Sequence, residues 1–270
     1  MSESGIATLA PVAGLDVSLT DGVLSVTIDR PDSLNSLVIP VITGMADALE
    51  AAATDPAVKV VRLGGAGRGF SSGAGISADD MSGGGGVPPD EIILEINRLI
   101  RAIAALPRPV VAVVQGPAAG VGVSIALACD VVLASEKAFF MLAFTKIGLM
   151  PDGGASALVA ASIGRIRAMR MALLPERLGA AEALEWGLVS AVYPADEFDA
   201  EVDKVIARLA AGPAVAFAKT KNAINAATLT ELDAALEREF DGQSGLLQAP
   251  DFKEGTKAFQ EKRAPSFTDA

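Results

Sequence analysis

Short β-branched runs alternate with helical stretches through the first part of this chain, and after Asp196 the sequence reads as helix alone. Strands separated by helices pair in parallel beneath a helical cover, whereas an unbroken run of helices builds a layer of its own. "LDVSLTDGVLSVTID" alternates apolar and polar residues around Asp21 and Gly22, which predicts a hairpin. "RPDSLNSL" follows as a loop, and "IPVITGMADALEAAATDP" as a helix that ends before Pro56. "VKVVRLGG" reads as a short strand and "RPVVAVVQG" as a buried one. Between them Ile93, Ile96, Ile100 and Ile103 recur at helical spacing. "VVLAS", "KAFFML" and "LVSAVYP" are further strands. The expectation is an α/β domain over residues 1–200 and a helical region over 201–270.

Charge and side-chain inventory remove whole classes of function. The net charge is −11, so a broad acidic surface repels nucleic acid and anionic lipid. The chain has no histidine, which removes a Ser-His-Asp triad, a Cys/His zinc site and any histidine base. Its single cysteine, Cys129, forms no intramolecular disulfide. "MSESGIATLAPVAG" does not read as a signal peptide, and no run predicts a membrane span, so a cytoplasmic location is expected. Any chemistry falls to carboxylates, lysines, tyrosine, hydroxyls or backbone amides.

Three segments stand out. "GRGFSSGAGIS" is rich in glycine and serine, which suits a surface turn or the close approach of backbone to a ligand. "QGPAAGVGVSIALACD" runs from a strand through glycines into a helix, whose N-terminal N–H groups suit an oxyanion or a phosphate, or simply close a tight turn. It is not a dinucleotide fingerprint, since Ile125 takes the third glycine position after Gly120 and Gly122. "KIGLMPDGGAS" places one carboxylate, Asp152, between a proline and two glycines. Asp152 reads either as the N-cap of the helix that follows or as a base beside which the glycines leave room. The loop at residues 82–89, with its tetraglycine, is expected to be mobile.

In order along the chain, "RPDSLNSL", "GRGFSSGAGIS", "QGPAAGVGVSIALACD", "LGAAEALEWGLVSAVYP" and "EGTKAFQEKRAPSF" resemble the enoyl-CoA hydratase/isomerase, or crotonase, superfamily. The resemblance implies an α/β fold, the crotonase (ClpP/crotonase-like) spiral of ββα units, with a C-terminal helical module that assembles trimers or hexamers. It implies an acyl-CoA thioester as substrate, with coenzyme A carried as part of that substrate and no separate cofactor or metal. Nucleic acid and membrane are not expected partners.

Residue by residue, the resemblance makes the backbone N–H groups of Ala74 and Val121 an oxyanion hole for the thioester oxygen. Ser72, Gly73, Gly120 and Phe144 become substrate-binding positions. Phe259 and Lys262 become coenzyme A contacts, reached across a subunit boundary. Ser124 and Phe144 stand where the hydratases carry their two glutamates. The resemblance is closest to the isomerase branch, in which an acid at the place of Asp152 shuttles a proton. Phe140, Phe144, Leu149 and Met150 are expected to give that acid an apolar setting. A 4-chlorobenzoyl-CoA dehalogenase-like reaction also places an aspartate here, but it needs a histidine base. A non-catalytic acyl-CoA-binding protein is the remaining alternative.

Overall fold

The computed structural model describes residue 6 and residues 9–75 and 90–268. The loop at 82–89 and the end of the first glycine-rich segment, residues 76 and 77, lie outside the described residues.

β1 (Leu15–Thr20) and β2 (Val23–Ile28) form the expected antiparallel hairpin. Asp21 and Gly22 turn it at φ 52° and 85°, the left-handed pair that an Asp-Gly turn supplies. From β2 onward the main sheet is parallel: β3 (Val60–Gly65), β4 (Val110–Val114), β6 (Val131–Ser135) and β9 (Ala191–Tyr193) follow in the order β1-β2-β3-β4-β6-β9. Every residue of β4 is buried, as a parallel strand covered on both faces must be. A second sheet joins β5 (Pro117–Ala119), β7 (Phe139–Met141) and β8 (Leu178–Gly179). β5 and β8 were not expected. They are three and two residues long, too short for alternation to show in the sequence.

Nine α-helices occur among the described residues. α1 (Ile39–Thr54), α2 (Glu91–Ala105) and the short α3 (Val121–Ala128) cover the inner face of the main sheet. α3 is buried along its whole length, so an eight-residue apolar helix suffices there. α4 (Ala155–Leu173) and α5 (Ala180–Trp186) precede β9. α6 (Phe198–Ala210) covers the outer face, where Phe198, Val202 and Ile206 meet Val60, Val111, Val113 and Leu133.

α7 (Ala214–Thr228), α8 (Leu232–Leu246) and α9 (Pro250–Gln260) complete the chain. α7 buries no residue, yet Lys221 ties it to the sheet. Its Nζ lies 2.9 Å from Asp130 Oδ2, which also accepts the Val110 N–H. α8 returns to the centre of the molecule: Leu232, Ala235, Leu236, Glu239 and Gln243 are its buried residues. No described helix is long and apolar enough to cross a membrane.

Candidate active site

Two loops leave the carboxyl ends of β3 and β4 and run side by side. Asn35, fully buried, holds the first of them. Its amide donates to the carbonyls of Ala66 and Gly69, at 2.9 and 2.7 Å, while its Oδ1 accepts the Arg30 N–H at 2.9 Å. The Ser71 hydroxyl donates to the Asn35 carbonyl, and Ser72 Oγ donates to that of Ser33 at 3.0 Å. "RPDSLNSL" is therefore the brace of the loop at 66–74. A β-bridge between Ser71 and Ala118 joins this loop to β5.

The backbone donors at Ala74 and Val121 each follow a glycine in the left-handed region, Gly73 at φ 90° and Gly120 at φ 53°. L side chains avoid that region. The parallel bridge of Leu37 with Ala74 uses the Gly73 carbonyl and the Gly75 N–H, so Ala74 turns its own N–H to the other side. Neither the Ala74 nor the Val121 N–H has an acceptor among the described residues. The glycines also touch: a Cβ on Gly73 would lie 2.8 Å from the Ala119 carbonyl oxygen and 3.4 Å from the Gly120 Cα. A Cβ on Gly120 would lie 3.9 Å from Phe144 Cζ, so the buried Phe144 ring flanks the same point.

Asp152 sits next to the start of α3. Its carbonyl accepts the Ser124 hydroxyl at 2.7 Å. Gly153 and Gly154 follow at φ 65° and 78°. A Cβ on Gly153 would meet Val121 and Ile96 methyls at 3.0 Å and Ser124 Cβ at 3.1 Å. The glycines therefore bring the Asp152 backbone against α3 and α2; the space beside them is filled rather than left open.

The Asp152 side chain is 6% exposed. Gln243 donates to its Oδ2 at 3.0 Å, while Oδ1 has no partner among the described residues. Burial pushes the carboxyl up to about 7; the Gln243 amide lowers it, and the Glu239 charge raises it. Asp152 is not a helix cap. The N-cap position of α4 is Gly154, and the donors there are taken by Glu239, which accepts the Gly154 N–H at 2.6 Å, the Ser156 N–H at 2.8 Å and the Ser156 hydroxyl.

A buried carboxyl adjoins a helix start that carries one free N–H, and a second free N–H lies on the loop in contact with it. Such a site can hold an oxyanion and move a proton beside it. The pattern of the Enoyl-CoA hydratase/isomerase family matches residues 18–270. The chain belongs to the enoyl-CoA hydratase/isomerase family.

Within that family the chain is similar to 1,2-epoxyphenylacetyl-CoA isomerase of Escherichia coli strain K12, at 38% identity over 250 residues, covering 92% of this chain and 95% of the relative. A probable enoyl-CoA hydratase of Rhodobacter capsulatus is 40% identical over 253 residues, covering 93% of this chain and 96% of the relative. A crystal structure of an enoyl-CoA hydratase from Mycobacterium avium subsp. paratuberculosis K-10 superposes with a TM-score of 0.91. It is 81% identical and covers 96% of this chain and 100% of that one. The two-sheet fold with its C-terminal helices is the crotonase fold of this family.

Against this family background, the structure brings Ser72, Gly73, Ala74, Gly120, Val121, Phe144 and Asp152 into one neighbourhood. Phe140 and Leu149 are buried, and Met150 packs on Gly242 of α8. Phe259 and Lys262 stay apart: Phe259 is 63% exposed at the end of α9, and Lys262 is exposed with φ 53°. Cys129 is buried, and burial pushes its thiol up, so it offers no thiolate. The sequence reading missed Glu239 and Gln243. Their signal was present: Leu232, Leu236, Glu239 and Gln243 share the inner stripe of α8, so a carboxylate and a carboxamide occupy core positions.

Proposed function

We propose that this chain is an enoyl-CoA isomerase that moves a double bond from the 3,4 to the 2,3 position of an acyl-CoA thioester, with Asp152 as its proton shuttle. The Asp152 carboxylate takes a proton from C2. The electron pair of that C–H bond passes into the thioester, whose oxygen becomes the anion of a dienolate. The N–H groups of Ala74 and Val121 hold that oxygen, and donors of this kind are worth about 2.7–4 kcal/mol each in a measured protease. The same carboxyl then returns the proton at C4, leaving the double bond between C2 and C3.

The observation that carries this reading is a single available carboxylate. Ser124 and Phe144 occupy the places where a hydratase needs its two acids, and the Ser124 hydroxyl is already spent on the Asp152 carbonyl. Glu239 is buried nearby, but both its oxygens accept from the start of α4. One base suffices for a 1,3 proton shift, whereas hydration must also activate water. The hydratase names among the relatives favour the second reading, hydration. A dehalogenase-like hydrolysis would lack its histidine.

The exposed apolar residues of the helical region support a trimer or hexamer built through residues 201–270: Val215, Ile224 and Phe259 all stand in solvent in the single chain. Such assembly is how Phe259 and Lys262 would reach coenzyme A of a neighbouring subunit. Incubating 3-enoyl-CoA esters with the protein in deuterated water and following products by mass spectrometry tests the function. Conjugated 2-enoyl-CoA without added water supports isomerisation; a product heavier by one water, formed without prior conjugation, overturns it in favour of hydration.

A further inference from the structure

Asp152 is held by two side chains that lie one turn apart on α8. Gln243 donates from Nε2 to Asp152 Oδ2 and accepts the Met150 N–H on its own Oε1 at 3.1 Å. The second bond fixes the carboxamide. Turned over, it would set an NH₂ against a backbone N–H and an oxygen against a carboxylate. Oδ2 is therefore always faced by a donor, and an added proton has its place on Oδ1, which has no partner among the described residues. Glu239 acts on the other side. By accepting from Gly154 and Ser156 it occupies the donors with which an aspartate before a helix ordinarily caps it.

We propose that α8 is a two-point clamp on the base: Gln243 assigns the transferable proton to Asp152 Oδ1, and Glu239 withholds the helix donors that would turn Asp152 into a cap. The clamp rests on the reading of Asp152 as the proton shuttle. Neither residue touches the reacting atoms; both are positioning residues. The groups around Asp152 are Ser124 and Val121 from α3, Ile96 from α2, and Glu239 and Gln243 from α8, with Arg238 acting on Glu239. Glu239 is the charge that bears on Asp152, and it favours the protonated acid, while the Gln243 donor favours the anion. The two influences oppose each other, so removing them one at a time moves the titration of Asp152 in opposite directions. A merely structural role for α8 has no such signature.

The experiment follows the ¹³C carboxyl resonance of Asp152 against pH in the parent, in Glu239→Gln and in Gln243→Leu. The resonance is assigned by its loss in Asp152→Asn. The pH dependence of kcat/KM for 3-enoyl-CoA isomerisation is measured beside it. The midpoint is expected to fall by roughly half a unit or more in Glu239→Gln and to rise by a similar amount in Gln243→Leu, with the acid limb of kcat/KM following each. Midpoints that stay still, or that move the same way, overturn the clamp. Midpoints that move apart while kcat/KM does not follow support the clamp and remove Asp152 from catalysis, which would sink the proposed function alone. If Glu239→Gln fails to fold, Gln243→Leu and Gln243→Met carry the test: without an upward shift in either, the clamp falls.

Discussion

Gly73 and Gly120 meet back to back: a side chain on the first would press within 3.4 Å of the Cα of the second and 2.8 Å of the Ala119 carbonyl oxygen. The contact sets the spacing of the two N–H groups that follow them in sequence. Gly73→Ala adds both a left-handed alanine and a collision with backbone. It is expected to lower kcat/KM by about 10²–10³-fold, the loss seen when one oxyanion donor is removed. Steady-state kinetics with a 3-enoyl-CoA ester reads this out. Activity within threefold of the parent would count against the Ala74 donor.

Asp152→Asn is expected to abolish isomerisation by at least about 10²-fold, the low end of what a general base contributes. Binding of the ester should persist, because the carboxamide oxygen of the substituted side chain would still accept from Gln243. Calorimetric titration with a CoA ester and a turnover assay on the same sample separate the two. Retained turnover within tenfold would sink the assignment.

Stability should respond to pH at the same residue. The folded Asp152 binds its proton more tightly than the unfolded chain, with a pKa of about 7 against 3.8. Stability therefore falls as pH rises between those values, because the ionised form is penalised only in the fold. At pH 8 the penalty is complete and is on the order of 4 kcal/mol, from about 1.36 kcal/mol per unit. Asp152→Asn removes it. The variant should melt above the parent at pH 8, and the gap should close toward pH 4. Scanning calorimetry at the two pH values decides it; a gap independent of pH would mean that Asp152 is ordinary in the fold.

Ser124→Ala should separate packing from catalysis. The hydroxyl is the partner of the buried Asp152 carbonyl at 2.7 Å, and its loss leaves that carbonyl unpaired. The expected cost is about 1–3 kcal/mol of stability in denaturant unfolding. The kcat should stay within tenfold, since Gln243 and Gly153 still hold the segment. A kcat loss as large as that of Asp152→Asn would make Ser124 part of the proton path.

The fold was legible where local chemistry repeats. The Asp21-Gly22 turn, the buried run of β4 and the isoleucine spacing of α2 each announce an element within a few residues. β5 and β8 announce nothing, because they are held by pairing to β7 rather than by any pattern of their own. The site divides the same way. Asp152 is conspicuous among its glycines, yet its competing reading as a cap could be dismissed only once Glu239 was seen to hold the cap donors. That partnership spans 85 and 83 residues, and Gln243 reaches Asp152 across 91. Distant partners leave only a weak trace, two polar side chains on the inner stripe of a helix that otherwise looks ordinary.

The same separation governs when the protein can begin to work. A ribosome must add 91 residues after Asp152 before Gln243 exists. At about 5–20 residues per second this is a delay of roughly five to twenty seconds. During that interval the sheet can already form, but its acid has no fixed proton and the start of α4 has no acceptor. A nascent or prematurely terminated chain that stops before α8 therefore presents a folded-looking but unfinished body to chaperones and proteases, and catalytic competence arrives with one of the last helices to leave the ribosome.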